Sequence, residues 1–223
     1  MPFIALAVPS TAFAAGGTEV TVRVEGLYRA LLLPTVVRVH KGWITRYGAP
    51  RGDCPAKSAQ GALNVATHRR WHGVWTSQFT EYEITSILGE KHSFSSRYFW
   101  EIFTDDVAAS AGACELKLHK GEQVLFAAVP QAGAAYPTAI TAPHDVAAGQ
   151  PFSVKVVWFD GAGKPQPLRG AHVSGGGMSA TTNQSGVATL TATQPGTLIL
   201  HARHRWSAIT AYVRAAPVTV HVS

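Results

Sequence analysis

Residues 18–26 read Thr-Glu-Val-Thr-Val-Arg-Val-Glu-Gly, which is the clearest strand pattern in the chain. Valines at positions 20, 22 and 24 alternate with polar residues, which is the period-two pattern of a strand with one buried face. The alternation returns over 35–40 through Val37 and Val39. We therefore predict an antiparallel hairpin whose strands are linked by residues 26–34.

One helix is predicted after this hairpin. Four apolar residues between positions 59 and 66 fall on one helical face, Ser58 precedes them as a plausible N-cap, and the helix is expected to end before Gly73. Further strands are predicted at 76–79, 82–87, 95–103, 115–118 and 123–127. A hairpin, then a helix, then more strands is the α+β order of a β-grasp-like domain, which we place at 18–130.

The composition of the chain changes after residues 131–137, a Pro-, Gly- and Ala-rich segment that predicts a linker. Only two acidic residues, Asp145 and Asp160, follow this segment. Short strands bounded by turn residues are predicted at 138–142, 152–159, 171–174, 188–193, 197–204 and 218–222. This spacing predicts an all-β, Ig-like sandwich at 138–223.

The N-terminus has the features of a secretion signal. An apolar run is followed by Ala12-Phe13-Ala14, the small-residue pattern that signal peptidase accepts. Residues 1–17 are therefore predicted to be a signal peptide, cleaved near Ala14, with a short lead; a buried strand is the alternative. No other stretch approaches the roughly 20 apolar residues that a membrane helix needs, so no membrane span is predicted.

Cys54 and Cys114 are the two cysteines of the chain. In the oxidising compartment that a secretion signal implies, they are predicted to form a disulfide. If they pair, neither cysteine remains for catalysis or for metal binding. Two buried free thiols are the alternative.

The charge and the motif content limit the classes of function. The net charge is +6, but the basic residues are scattered, so attraction to anionic cell-envelope polymers is favoured over nucleic-acid binding. No nucleophile elbow, phosphate-binding loop or paired-carboxylate site is recognisable, so no catalytic residue and no enzyme activity are predicted. The ten histidines show no spacing that gathers three or four ligands, so neither a metal site nor a cofactor is predicted.

The first predicted domain resembles the transcobalamin-like C-terminal domain family, a β-grasp domain of secreted bacterial proteins. The resemblance is carried by 20–26, Cys54, 59–63, the Tyr98-Phe99-Trp100-Glu101-Ile102-Phe103 strand, Gly112-Ala113-Cys114 and 121–126. It implies that Cys54 and Cys114 correspond to the disulfide of that family. The chain departs from the family pattern at Thr104-Asp105-Asp106, where an Asn-Gly turn is usual, and at Gly121-Glu122, where Gly-Asp is usual.

The second predicted domain looks like a bacterial Ig-like domain of the surface-protein kind. Residues 180–190 and 195–202 carry this resemblance. They identify a hairpin rather than a chemistry, and the resemblance implies a spacer or a second contact surface.

Aromatic residues are the candidate ligand-binding positions. Tyr98 and Trp100 fall on one face of the predicted strand and Phe99 on the other. One set is expected to fill the core, and the other can stack on a flat ligand or a sugar. The candidate ligand-binding residues are Tyr98, Trp100, Trp75 and Trp71.

Arg51-Gly52-Asp53, the tripeptide that integrins recognise, lies beside Cys54. Adhesion through this tripeptide is one interpretation, and an ordinary glycine turn is the alternative.

The sequence thus predicts a secreted, non-enzymatic binding or adhesion protein of the bacterial cell surface. Its partner would be a surface polymer, a protein or a small ligand. The alternative is binding of cobalamin or another tetrapyrrole, because in the transcobalamins the resembling domain closes over cobalamin. A third interpretation is an accessory domain of an envelope enzyme complex.

Overall fold

A computed structural model describes residues 16–207 and 209–223 of the chain. Over these residues the protein is mostly β, with several sheets and a single α-helix. Of the predicted signal peptide and lead, residues 1–15 lie outside the described residues. Within the described ranges, no helix is long and apolar enough to cross a lipid bilayer.

Residues 16–130, here the N-terminal region, contain eight strands, a 3-10 turn at Arg46–Gly48 and the helix. In chain order, its main elements are β1 (Thr18–Glu25), β2 (Ala30–Val39), α1 (Ala59–Ala66), β3 (Trp71–Thr76), β4 (Glu81–Ile87), β5 (Glu90–Lys91), β6 (Tyr98–Thr104), β7 (Val107–Ala108) and β8 (Gln123–Pro130).

The described part of residues 134–223, here the C-terminal region, consists of strands and their connections. In chain order they are β9 (Ala134–Thr141), β10 (Asp145–Val146), β11 (Pro151–Phe159), β12 (Pro165–Pro167), β13 (His172–Gly175), β14 (Met178–Thr181), β15 (Val187–Thr191), β16 (Gly196–Arg203), β17 (Thr210–Val213) and β18 (Val218–Val222).

The main sheet of the N-terminal region has the strand order β2-β1-β8-β6-β7. β1 and β2 form the predicted antiparallel hairpin, but β2 begins at Ala30, inside the segment 26–34 that was predicted to link the strands. β1 also pairs in parallel with β8. The three valines of β1 are buried on the face that α1 covers, because their alternation places them all on one side of the strand. A small sheet, β3-β4-β5, completes this core with Trp71 and Ile87.

Helix α1 begins where the sequence predicts. The Ser58 hydroxyl accepts a hydrogen bond from the Gly61 amide at 3.3 Å and donates to the Pro55 carbonyl at 2.6 Å. The predicted disulfide is also present, between Cys54 and Cys114. It fixes the segment before the helix to the loop before β8.

Two predicted strands differ from the structure. Residues 76–79 are the end of β3 and the turn that follows it, because the Phe79 amide bonds back to the Thr76 carbonyl. Residues 115–118 form a turn with one isolated bridge, between Ser58 and Lys117. Strand β9 begins at Ala134, inside the segment predicted as a linker, so three residues separate it from β8.

Two sheets enclose the core of the C-terminal region. One has the order β10-β18-β16-β13-β14, and the other has the order β12-β11-β9-β17, with β15 also paired to β11. Alternate residues of β11 and β16 face inward, among them Val154, Val156 and Leu200. This arrangement is the period-two burial expected where two sheets pack face to face.

The second face of the main N-terminal sheet is covered by the C-terminal region. Phe103, Leu125 and Val129 point to this face and pack with Val213 of β17. The connection is tight at Gly133, where φ is +93° and an added Cβ would lie 2.4 Å from the Ile209 carbonyl oxygen. The central strand β8 is therefore buried on both faces of the main sheet.

Candidate functional site

A groove of about 890 Å³ lies between the two regions and is here called the inter-region groove. Its N-terminal wall is the end of β1 and the turn after it, from Glu25 to Tyr28. Its C-terminal wall comes from β13, β17 and the connection from β16 to β17. Its volume falls in the range of small-molecule sites, about 300–1,000 Å³.

An ion-pair cluster fixes the floor of the groove. The Glu25 carboxylate is buried, and its Oε2 accepts a hydrogen bond from Arg214 Nε at 3.0 Å. Arg214 also donates to the Gly26 carbonyl at 2.9 Å and to the Tyr28 carbonyl at 3.2 Å. Arg23 Nη1 donates to the Arg214 carbonyl at 2.9 Å.

Burial determines the electrostatics of this cluster. It raises the pKa of Glu25, and the charges of Arg23 and Arg214 oppose that rise. Burial also disfavours the charged form of Arg23, and it therefore lowers the pKa of that guanidinium. Glu25 neutralises part of the positive charge of Arg23 and Arg214. Because Arg214 belongs to the C-terminal region and Glu25 and Arg23 to the N-terminal region, the cluster acts as a clamp that holds the two regions together.

The rim of the groove carries positive charge. Arg203 lies opposite His172 across the β13–β16 ladder, so both side chains project on the same side of the sheet. Arg205 follows two residues later, and both arginines are exposed. Among the residues that the structure describes, neither guanidinium has a carboxylate partner.

Aromatic side chains line the same groove. Trp206 Nε1 donates to the Tyr212 carbonyl at 2.9 Å, and the Tyr212 ring lies 4.8 Å from the His204 ring. His204 Nδ1 lies 2.7 Å from the Arg205 carbonyl oxygen. A carbonyl oxygen only accepts, so Nδ1 carries the proton and Nε2 is the other ring nitrogen available to a ligand. Guanidinium groups beside aromatic rings suit an anionic ligand that also has a flat or sugar-like face.

The four predicted ligand-binding aromatics are not brought together. Trp71 is fully buried and donates from Nε1 to Asn64 Oδ1 at 2.9 Å, so it is a core residue. Trp75 packs edge-on against Tyr82 at 4.9 Å. Trp100 is 5% exposed and also belongs to the core. Tyr98 alone approaches the inter-region groove, with its ring 6.4 Å from that of Trp206.

A smaller cavity of about 320 Å³, here called the β6 cleft, lies between β4 and β6. Phe99, Trp100 and Glu101 form one wall, and Glu81 lies on the other. Burial raises the pKa of both glutamates. Both Glu81 oxygens accept from the Cys114 amide, at 2.8 and 2.9 Å, which ties this carboxylate to the disulfide loop.

Two other sequence features have simple placements. Arg51, Gly52 and Asp53 are exposed on a turn directly before Cys54, and Gly52 has a φ of +114°. In the described ranges, no group of three or more histidine, cysteine or acidic side chains is arranged to hold a metal ion.

The residues of the inter-region groove were not identified from the sequence. Glu25 and Arg214 are 189 positions apart, and no local pattern connects them. The one available signal was Arg203-His204-Arg205-Trp206, a basic and aromatic run at the end of a predicted strand. That run becomes part of a groove only in the folded structure, where the end of β1 lies opposite it.

No protein-family model matches this sequence, and no curated protein sequence matches it significantly. The resemblances to a transcobalamin-like domain and to an Ig-like domain therefore stay predictions.

Proposed function

We propose that this protein is a secreted, non-enzymatic binding protein whose inter-region groove holds an acidic saccharide polymer of the cell surface. The observation that carries the proposal is the pair of exposed arginines, Arg203 and Arg205, beside Trp206 in one groove, neither of which pairs with a carboxylate of a described residue. Guanidinium groups form paired hydrogen bonds with carboxylates or phosphates, and an indole ring can pack on a sugar face.

Secretion is supported by the Cys54–Cys114 disulfide, because such bonds persist in oxidising compartments. We further propose a β-grasp-like N-terminal domain and an Ig-like C-terminal sandwich. A five-stranded sheet with one helix on its face supports the first assignment, and two facing sheets around a common core support the second.

A tetrapyrrole is the second candidate ligand. His172 and His204 both line the groove, and neutral imidazole is a common axial ligand of haem iron. Arg203 and Arg205 would pair with the carboxylates of haem. The His172 Nδ1 atom is buried and has no hydrogen-bond partner in the described residues, so ligation through that atom would require the ring to turn. Ligation by both histidines through these atoms would therefore need a rearrangement that binding of an acidic polymer does not need.

The test is a titration with a polygalacturonate oligomer, followed by tryptophan fluorescence and by calorimetry. Neutral dextran serves as the uncharged comparison, and haem and cobalamin are titrated while their visible spectra are recorded. We expect saturable binding of the uronate oligomer and none of dextran. A shifted haem or cobalamin spectrum with saturable binding would instead make the tetrapyrrole the ligand.

The variant for this test is Arg203→Ala/Arg205→Ala. We expect it to lose at least about tenfold in affinity, because charge-assisted hydrogen bonds contribute roughly 1.5–3 kcal/mol each. The matched control is Lys117→Ala/Lys120→Ala, which removes the same charge from exposed positions outside the groove. Equal losses in the two variants would show attraction to overall charge and would contradict a groove site.

A further inference from the structure

We propose that the β6 cleft is a second binding site, one that takes an extended peptide segment bearing lysine or arginine side chains. The proposal is independent of the inter-region groove. It rests on three features of the cleft, which are an open strand edge, an acidic side chain with no cationic partner among the described residues, and an aromatic pair in which Phe94 is exposed and Phe99 is half-buried.

The open edge belongs to β6. This strand pairs with β8 along its whole length, but β7 covers only Phe103 and Thr104 on the other side. The Tyr98 carbonyl accepts from the Ser93 amide, and the Ile102 carbonyl accepts from the Ala109 amide, so both point away from β8. Peptide groups alternate in direction along a strand.

Trp100, midway between these two residues, therefore directs its amide and its carbonyl toward the cleft. No partner for either group on that side is found among the described residues. One residue of an added antiparallel strand could exchange two hydrogen bonds with Trp100, as in a hydrogen-bonded pair of a sheet. The Trp100 side chain is also buried, and its Nε1 has no partner in the described part of the chain.

The charge of the cleft selects the side chains of the added segment. Glu101 is half-buried, lines the cleft and forms no ion pair with a described residue. In the added strand, the two residues that flank the one paired with Trp100 would lie opposite Phe99 and Glu101. Their side chains would project on the same side of the sheet as those of Phe99 and Glu101. A basic side chain at these positions would meet the Glu101 carboxylate.

The aromatic pair adds to this preference for cations. Phe94 is 63% exposed, and its ring lies 5.3 Å from that of Phe99. Its backbone is held in place because the Phe94 amide donates to Glu83 Oε1 at 2.9 Å and its carbonyl accepts from Gln131 Nε2 at 2.9 Å. Ammonium and guanidinium groups are attracted to such ring faces.

The test uses the full chain and the peptide acetyl-Thr-Lys-Val-Lys-Thr-amide, with binding followed by tryptophan fluorescence and by calorimetry. Two comparison peptides accompany it, one with glutamate in place of both lysines and one with an N-methyl group on the central valine. We expect the lysine peptide to bind with a Kd below about 1 mM. We expect the other two to bind at least about tenfold more weakly, because one loses the charge pairing and the other loses a backbone hydrogen bond.

Variants of the protein complete the test. Glu101→Gln is expected to weaken the lysine peptide by about tenfold. The control Glu19→Gln removes an exposed carboxylate of β1, outside the cleft, and should leave the affinity unchanged. Thermal melts of both variants verify folding. No binding at millimolar peptide, equal binding of the glutamate peptide, or no effect of N-methylation would each overturn the proposal.

Discussion

Arg214 is the residue that connects the largest number of polar groups across the two regions. Its guanidinium donates hydrogen bonds to the Glu25 carboxylate and to the carbonyls of Gly26 and Tyr28, which all belong to the N-terminal region. Removing it leaves Glu25 buried with only Arg23 nearby, at 3.7 Å. The cost of this change is dominated by the uncompensated charge, not by the loss of packing.

We predict that Arg214→Ala lowers the free energy of unfolding by about 3 kcal/mol, the usual cost of breaking a buried ion pair on one side. Denaturant titration monitored by tryptophan fluorescence measures this change. Arg203→Ala is the control, because its exposed guanidinium should contribute within about 0.5 kcal/mol. An unchanged midpoint in the Arg214 variant would show that the clamp does not stabilise the fold.

Glu101 gives a prediction on pH. Burial raises its pKa above the ordinary value of a glutamate, so the folded state binds its proton more tightly than the unfolded state does. Stability from this group is therefore full at low pH and decreases as the pH rises from about 4.3, the unfolded pKa, through the raised folded value.

Glu101→Gln should remove this component. The variant should lose less stability than the unaltered protein when the pH is raised from 4.5 to 7, because glutamine has no proton to lose. Urea titrations at several pH values measure the slope of stability against pH. Parallel slopes for the two proteins would show that the folded environment does not disfavour the ionised carboxylate.

Among the secondary-structure elements, helix α1 owes its position to a glycine. An added Cβ at Gly61 would lie 1.9 Å from the Ala56 carbonyl oxygen, so the helix passes the preceding segment at a distance only glycine allows. Helix propensity taken alone would favour alanine at this position by about 1 kcal/mol. The close contact with Ala56 reverses that preference.

Gly61→Ala should accordingly destabilise the protein by about 1–3 kcal/mol, the typical cost of overpacking. Val65→Ala, at an exposed position of the same helix, is the matched control and should change stability by less than about 0.5 kcal/mol. Thermal and urea unfolding test both variants. A stabilised Gly61 variant would mean that the helix can move away from Ala56.

The elements with strong local signals could be predicted from the sequence. β1 and α1 follow from a period of two and from a cap, both of which lie within about ten residues. The strand β3 was predicted too late in the sequence, at 76–79, because Gly73 was interpreted as the end of the helix. In the structure Gly73 lies inside β3, at a bulge in the β3–β4 pair. At the β6–β7 turn, Asp105 and Asp106 both have positive φ, 44° and 65°, so two aspartates form the kind of turn for which Asn-Gly is the usual sequence.

The candidate sites could not be predicted, because each depends on how distant strands pair. Trp100 was predicted as a ligand contact by its chemistry, but sheet order decides that its ring is buried and that its backbone faces the cleft. Likewise, the polar face of β1 is expected to be solvated in the hairpin alone. Arg23 and Glu25 are buried only because the C-terminal region covers that face.

At the scale of the whole molecule, the shared core predicts that the two regions unfold together. Val213 is 2% exposed and packs with Phe103, Leu125 and Val129 of the main sheet. Val213→Asp should uncouple the regions, because it places an unpaired charge in this apolar contact.

Calorimetry is expected to show one cooperative transition for the unaltered protein and two for Val213→Asp. Val36→Asp, at a position of β2 that is 63% exposed, should retain a single transition. Two transitions in the unaltered protein would indicate that the interface does not couple the regions.

The disulfide has a mechanical consequence for a protein that is pulled from its ends. Cys54 and Cys114 are 60 positions apart, and α1 together with β3 to β7 lies between them. Tension therefore bypasses this stretch, and the oxidised chain can extend by roughly 200 Å less than the reduced chain, at about 3.4 Å per residue. The oxidised protein therefore lengthens less under load. The walls of the β6 cleft that lie between Cys54 and Cys114 are shielded from the pulling force.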